Sequence, residues 1–236
     1  VGLVTLANLR GIRESGSIFA IPTYVFLAAM FATIGGGLYL YFAGQLIVPP
    51  PATMPPVTEM LGPFLLLRAF AVGSVVMTGT EAISNGIPAF KPPESRNAAH
   101  TIVTMATILA TMFLGLSFLI VVGHIIPRQE ETVISLLAHA VFGEGLLYYV
   151  LQFSAVLILV LAANTAYADF PRLASLLARD DYAPKQLAFR GERLAFSNGI
   201  LVLGAMSALL IILFAGSTEA LLPLYGVAVF TAFTLS

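Results

Sequence analysis

Long apolar runs alternate with short polar stretches along most of this chain. A helix needs about 20 mostly apolar residues to cross the hydrocarbon layer of a bilayer. A helix tail is predicted at residues 1–6. Five later segments have the composition of a membrane span, at 21–42, 101–122, 146–168, 198–215 and from about 221 onward. Gly35, Gly36 and Gly37 in the first of these spans predict that a neighbouring helix approaches closely there.

A sixth apolar segment, residues 63–87, contains many more polar groups than the others. A charged side chain such as Glu81 costs about 3 kcal/mol in hydrocarbon even on the mildest insertion scales. Gly73 and Gly79 each weaken a helix by about 1 kcal/mol relative to alanine. This combination predicts a helix that breaks within residues 73–79, with its backbone and Glu81 facing a polar cavity. The alternative is structural: Glu81 pairs with a basic residue of a neighbouring helix, and the glycines mark close packing.

The remaining segments are shorter or more polar. Residues 132–142 are amphipathic and too short to span, so they predict a helix lying at the membrane interface. Four polar or proline-rich stretches are predicted to be loops, at 8–16, 48–56, 91–97 and 169–197.

The composition agrees with a membrane protein and argues against several other classes. The chain is 58% hydrophobic and 10% charged, whereas a soluble domain carries about 25% charged residues. It has no cysteine, which excludes disulfides and thiolate chemistry. The three histidines have no metal-site spacing, and there is no phosphate loop or hydrolase motif, so an enzyme is not expected. A net charge of −1 without a basic patch gives no reason to expect a nucleic-acid partner.

Basic residues are distributed unequally between alternate loops. Arg10 and Arg13 lie in one such loop, Lys91 and Arg96 in the next, and five more basic residues within 169–197, which places nine of the eleven on one side. By the positive-inside rule this side is the cytoplasm. The 63–87 segment is therefore predicted to enter the membrane from outside and end inside.

Candidate ligands cluster around Glu81. Thr78 precedes it by three residues and Ser74 by seven, so a helix would place all three side chains on one face. A carboxylate, two hydroxyls and carbonyls freed near Gly79 would form an all-oxygen site suited to K⁺ or Na⁺. A carboxylate in such a cavity can also exchange a proton for a cation. A lone threonine, however, more often bonds back to its own helix.

Three further polar residues are weaker candidates. Tyr225 lies between Pro223 and Gly226, and its hydroxyl could contribute to the same site or belong to an interfacial aromatic belt. Asn164 and Thr165 lie among alanines near the cytoplasmic end of their span. They could line an ion path or form hydrogen bonds between helices.

Three sequence strings resemble those of the amino acid–polyamine–organocation superfamily. They are Asn-Leu-Arg-Gly at 8–11, Gly-Thr-Glu at 79–81 and Asn-Thr-Ala-Tyr-Ala-Asp-Phe-Pro-Arg at 164–172. The resemblance covers the whole chain and implies an all-α integral membrane protein with a LeuT-like fold. The chain would run from the end of helix 4 to the first part of helix 10, with a broken helix 6. Residues 1–236 are accordingly expected to form one transporter domain, truncated at both ends.

The longer string at residues 78–91 is similar to that of the KimA-type branch of this superfamily, which couples potassium uptake to protons. This narrower resemblance implies that Thr78, Glu81 and Tyr225 line the ion site. The function expected is therefore proton-coupled potassium uptake at the plasma membrane. An amino acid permease of the same superfamily is the alternative, and a transporter-like nutrient sensor is a third.

The expected partners follow from this function. They are the lipid bilayer, protons and a small cation or amino acid substrate, with a homodimer left open. No cofactor is expected, and no metal beyond K⁺ at Thr78, Glu81 and Tyr225. The first helix of the fold, absent from this chain, would separate the alternatives. A glycine-rich break there would suit the carboxylate of an amino acid, and an acidic residue near a tyrosine would suit a cation.

Overall fold

A computed structural model describes residues 1–10, 16–48, 62–73, 78–79, 83, 87, 90–127, 131–189 and 196–235. Regular structure within these residues is helical, without a strand. The helices are α1 (Gly2–Leu9), α2 (Gly16–Phe42), α3 (Pro63–Gly73), α4 (Glu94–Val122), α5 (Val133–Phe142), α6 (Leu146–Arg179), α7 (Ser197–Leu213) and α8 (Thr218–Leu235), with a 3₁₀ turn at Lys185–Leu187. The chain divides into two compact units, each described separately below.

The first unit comprises Val1–Val48 and Gln129–Gly216 and is built around α6. This helix contacts α1, α2, α5, α7 and the 3₁₀ turn. Met30 of α2, Leu137 of α5 and Leu151 of α6 are fully buried in its core. A Cβ added at Gly36 would lie 2.6 Å from the side chain of Val141, so the predicted close approach of a helix is confirmed there.

The second unit comprises Pro49–Arg128 and Ser217–Ser236 and contains α3, α4 and α8. Helices α3 and α8 pack against each other. The rings of Phe70 and Phe230 have their centroids 6.5 Å apart. The two helices are in ordinary van der Waals contact near Gly226, where an added Cβ would lie 3.8 Å from the carbonyl oxygen of Ala71. Thr78 and Gly79, a turn that follows α3 in the sequence, belong to the same unit as α8.

The predicted spans coincide with helices, apart from 63–87, of which α3 covers Pro63–Gly73 and most of the rest lies outside the described residues. Within the described residues, three helical segments are long and apolar enough to cross a membrane: Ala20–Phe42, Glu94–Val122 and Leu146–Arg179. Pro63–Gly73, Ser197–Leu213 and Ala220–Ala232 are shorter apolar helices. The predicted interfacial segment is α5, a ten-residue helix. Thr132 caps it by accepting a hydrogen bond from the backbone N–H of Ser135, as a threonine before a first turn is expected to do.

Two predicted loops are partly wrong. Residues 94–97 belong to the first turn of α4, where the carboxylate of Glu94 is stabilised by the positive end of the helix dipole. Helix α6 does not end near residue 168 but continues to Arg179. Its extension buries one face formed by Pro171, Ala174, Ser175 and Ala178. These residues recur at helical spacing, but three are small and one is a proline, so the charged residues between them suggested a loop.

Candidate functional site

Two of the predicted ligands are joined by a hydrogen bond. The hydroxyl of Tyr225, on α8, donates to Oγ1 of Thr78 over 3.2 Å. The two residues are 147 positions apart in the sequence and belong to the same compact unit. The side chain of Thr78 is half-buried, and Tyr225 is 44% exposed. The pair therefore presents two hydroxyl oxygens at an accessible point beside the segment that follows α3.

The backbone next to this pair has a conformation that favours glycine. Helix α3 ends at Gly73, and Thr78 and Gly79 lie in a turn. Gly79 has φ +96°, a conformation that side-chain-bearing residues rarely adopt. A Cβ there would meet nothing within 4 Å, so the requirement for glycine comes from the backbone and not from crowding. The predicted ligands Ser74 and Glu81 lie outside the described residues.

A cleft of about 510 Å³ lies between α3 and α8. Its walls are mostly apolar, and they include Ala71, Val72, Val227 and Phe230. The hydroxyls of Thr231 and Thr234, on its α8 wall, donate to backbone carbonyls of their own helix over 2.8 and 2.7 Å. Neither Thr78 nor Tyr225 lines the cleft. Its mostly apolar walls suit hydrocarbon better than a bare ion, whereas the hydroxyl pair offers oxygen ligands.

Asn164 and Thr165 lie in the first unit. The side-chain amide of Asn8 donates to Oδ1 of Asn164 over 2.6 Å and so links α1 to α6. One turn away, the hydroxyls of Thr5 and Tyr167 are 2.8 Å apart and join the same two helices. Thr165 donates to the carbonyl of Leu161 in its own helix. The two interhelical hydrogen bonds thus join α1 to α6, and Thr165 takes no part in them.

Sequence reasoning missed a second polar cluster, which joins α5 to the start of α6. Ser135 is its centre, and hydrogen bonds connect Ser135 to Glu131, Tyr148 and Gln152. Two spacings could have revealed it. Tyr148 and Gln152 are four residues apart and lie on one face of α6, and Glu131, just before the cap of α5, is also four residues from Ser135. The contact between the two pairs depends on the turn from α5 into α6, which the apolar pattern does not specify.

The whole chain, residues 1–236, matches the family model described as amino acid permease. The chain therefore belongs to the amino acid permease family, as the sequence resemblance predicted. The three long apolar helices of the described residues agree with membership in a family of permeases.

A more specific similarity comes from one curated relative. The chain is 49% identical over 236 residues to the potassium transporter KimA of Bacillus subtilis (strain 168). This match covers 99% of the chain and 39% of KimA, so the chain spans well under half the length of that relative.

Proposed function

We propose that this chain is part of a proton-coupled transporter that imports K⁺, with Thr78, Glu81 and Tyr225 as ion ligands. The observation that carries the proposal is the hydrogen bond from Tyr225 to Thr78. Both residues are candidate ligands on the sequence alone, and no local sequence constraint brings them together. The name of the relative KimA, a potassium transporter, supports the choice of substrate.

The chemistry of the pair suits a weakly hydrated monovalent cation. The proton of Tyr225 is directed to Thr78, so a lone pair on the tyrosine oxygen remains available to a cation. Glu81 follows Thr78 by three residues and would supply the negative charge. The same carboxylate would bind the coupling proton when K⁺ is absent. Neutral hydroxyls would then set affinity, and the carboxylate would set the coupling to protons.

The fold proposed for residues 1–236 is one LeuT-like domain with α3 as the first half of a broken helix. The φ of +96° at Gly79, which is not a helical conformation, supports a change of chain direction in this region. Helix halves that meet near the middle of a membrane expose backbone groups that can bind ions. The protein is proposed to act as a transporter, without catalytic chemistry, and to assemble as a homodimer.

Transport of an amino acid is the competing function, and the family description favours it. The two substrates are distinguished by flux into proteoliposomes that contain the full-length protein. Under the proposal, an inward proton gradient drives ⁸⁶Rb⁺ uptake, a tracer for K⁺, and unlabelled amino acids do not compete. Uptake of radiolabelled amino acids without ⁸⁶Rb⁺ uptake would overturn the proposal.

The role of the hydroxyl pair has its own test. Tyr225→Phe should raise the K⁺ concentration needed for half-maximal uptake. Tyr24→Phe is the matched control, because Tyr24 on α2 is 70% exposed and belongs to the other unit. Unchanged half-maximal concentrations in both variants would exclude Tyr225 from the site, whatever the substrate.

A further inference from the structure

The first unit contains a polar cavity of about 560 Å³ that the transport proposal does not use. It lies between α5 and the beginning of α6. The lining residues that the structure describes all carry polar side chains: Glu131, Thr132, Ser135, His139, Tyr148 and Gln152. Thr132 and His139 are exposed, so the cavity is open to solvent, whereas Ser135 at its base is buried.

The hydrogen bonds at the base of this cavity have a fixed direction. Oγ of Ser135 is 2.7 Å from Oε1 of Glu131, 3.0 Å from the hydroxyl of Tyr148 and 2.5 Å from Nε2 of Gln152. A serine hydroxyl has one proton to donate and two lone pairs. A carboxylate can only accept, so Ser135 gives its proton to Glu131. Tyr148 and Gln152 must then both donate to Ser135.

This arrangement leaves three acceptor positions that receive no hydrogen bond from the described residues. Oε2 of Glu131, a lone pair on the Tyr148 hydroxyl and Oε1 of Gln152 accept no hydrogen bond from the described part of the chain. All three belong to residues that line the cavity. The hydroxyl proton of Tyr148 and one N–H of the Gln152 amide, which would repel a cation, are directed to Ser135. Protein dipoles and one negative charge are therefore oriented for a positive ligand.

We propose that this cavity is a second binding site, for a partly hydrated monovalent cation. No lysine or arginine is among its described lining residues, which argues against an anion. The described residues contain no group of three His, Cys, Asp or Glu side chains suited to a metal, so the site lacks the charge that holds divalent ions tightly. One carboxylate with neutral oxygens matches a single positive charge, and the volume leaves room for the water that the cation retains.

The experiment measures binding and requires no transport, so its outcome is separate from that of the proposed function. The full-length protein is prepared with Glu81→Gln, which removes the charge of the transport site. This variant is placed in lipid nanodiscs, and its binding of Rb⁺ is measured by titration calorimetry. We expect one weak Rb⁺ site to remain. Adding Glu131→Gln should weaken it at least about tenfold, because the one carboxylate among the described lining residues is lost.

Two matched controls keep the result specific. Glu144→Gln removes the same charge from an exposed residue that does not line the cavity, and binding should be unchanged. Tyr148→Phe deletes one ligand oxygen and should weaken Rb⁺ binding by a smaller factor, whereas Tyr149→Phe, at an exposed neighbouring ring, should not. If Glu131→Gln does not fold, the comparison of Tyr148→Phe with Tyr149→Phe provides the test. Equal Rb⁺ affinity in Tyr148→Phe and Tyr149→Phe, or no Rb⁺ binding in the Glu81→Gln protein, would overturn the proposal.

Discussion

The hydroxyl of Tyr225 donates a hydrogen bond to Oγ1 of Thr78, linking α8 to the turn beyond the end of α3. Because the proton of Tyr225 is directed to Thr78, a lone pair on the tyrosine oxygen can bind a cation while this bond is made. The bond thus orients two neutral ligands before the ion arrives. Orientation in advance reduces the entropy that binding would otherwise cost.

This relationship predicts strong coupling between the two residues. Thr78→Ala and Tyr225→Phe, each in the full-length transporter, should lower the apparent K⁺ affinity roughly three- to tenfold, the range that one neutral hydrogen bond gives. Because both variants lose the same bond, the double variant should lose less affinity than the product of the single effects. The apparent affinities of the unaltered protein, the two single variants and the double variant are measured from the concentration dependence of ⁸⁶Rb⁺ uptake. Fully multiplicative losses would mean that the two residues act independently.

A second prediction concerns the turn at Gly79. Gly79→Ala should destabilise the protein by about 1 kcal/mol or more, because alanine resists a φ of +96° even though space for its Cβ is available. Gly35→Ala is the control, because a Cβ there also meets nothing within 4 Å, but Gly35 lies inside α2. Helix propensity predicts that this control is neutral or stabilising. Thermal unfolding followed by far-ultraviolet circular dichroism compares the two, and equal midpoints would contradict the prediction.

The helices were largely predictable because a bilayer restricts what an apolar segment can do. A run such as 101–122 must satisfy its backbone internally, so length and composition nearly determine a helix. Helix ends outside the apolar region lack this constraint. The extension of α6 to Arg179 depends on small residues packing against other elements, including Pro171, which approaches Gly199 of α7 closely. Such packing leaves little signal in hydropathy.

The candidate site was predictable only in part. Spacing along one helix related Thr78 to Glu81, but no periodicity relates Thr78 to Tyr225, and the family resemblance supplied that pairing. The cluster at Ser135 was missed for a different reason. Its members lie at the start of α5 and the start of α6, and a tight turn at residues 143–145, in which Gly143 has φ +59°, joins the two helices. The geometry of a turn decides which helical faces meet, and sequence spacing does not report it.

The orientation inferred from the basic residues gives a third prediction. The chain has no cysteine, so a single cysteine placed in it would be the only thiol of this region. Cysteine at Lys185, whose exposed side chain pairs with Asp181 over 3.1 Å, should resist an impermeant reagent applied outside intact cells. Cysteine at Glu144, also exposed, should react. Both should react after permeabilisation. The opposite labelling pattern in intact cells would reverse the topology.

The last prediction concerns Glu81. Glu81→Gln keeps the size of the side chain and removes its charge, so it separates electrostatics from packing. In the full-length transporter this variant should insert into the membrane but lose proton-driven ⁸⁶Rb⁺ uptake, because the carboxylate is proposed to bind K⁺ and the proton in turn. Uptake by the unaltered protein should fall as the external pH rises, because the coupling proton becomes scarce. Glu144→Gln should preserve both the rate and this pH dependence.

The possible outcomes for Glu81→Gln distinguish two roles of its carboxylate. Retained uptake with an unchanged pH response would remove Glu81 from the mechanism, because no charge would then be needed at that position. Failure to insert would favour the structural alternative, in which the carboxylate pairs with a basic residue and its loss leaves that partner unpaired in hydrocarbon. Normal insertion with lost uptake would exclude the structural pair, since an unpaired basic residue should impair folding before it impairs transport. Surface labelling of the variant therefore has to precede the flux measurement.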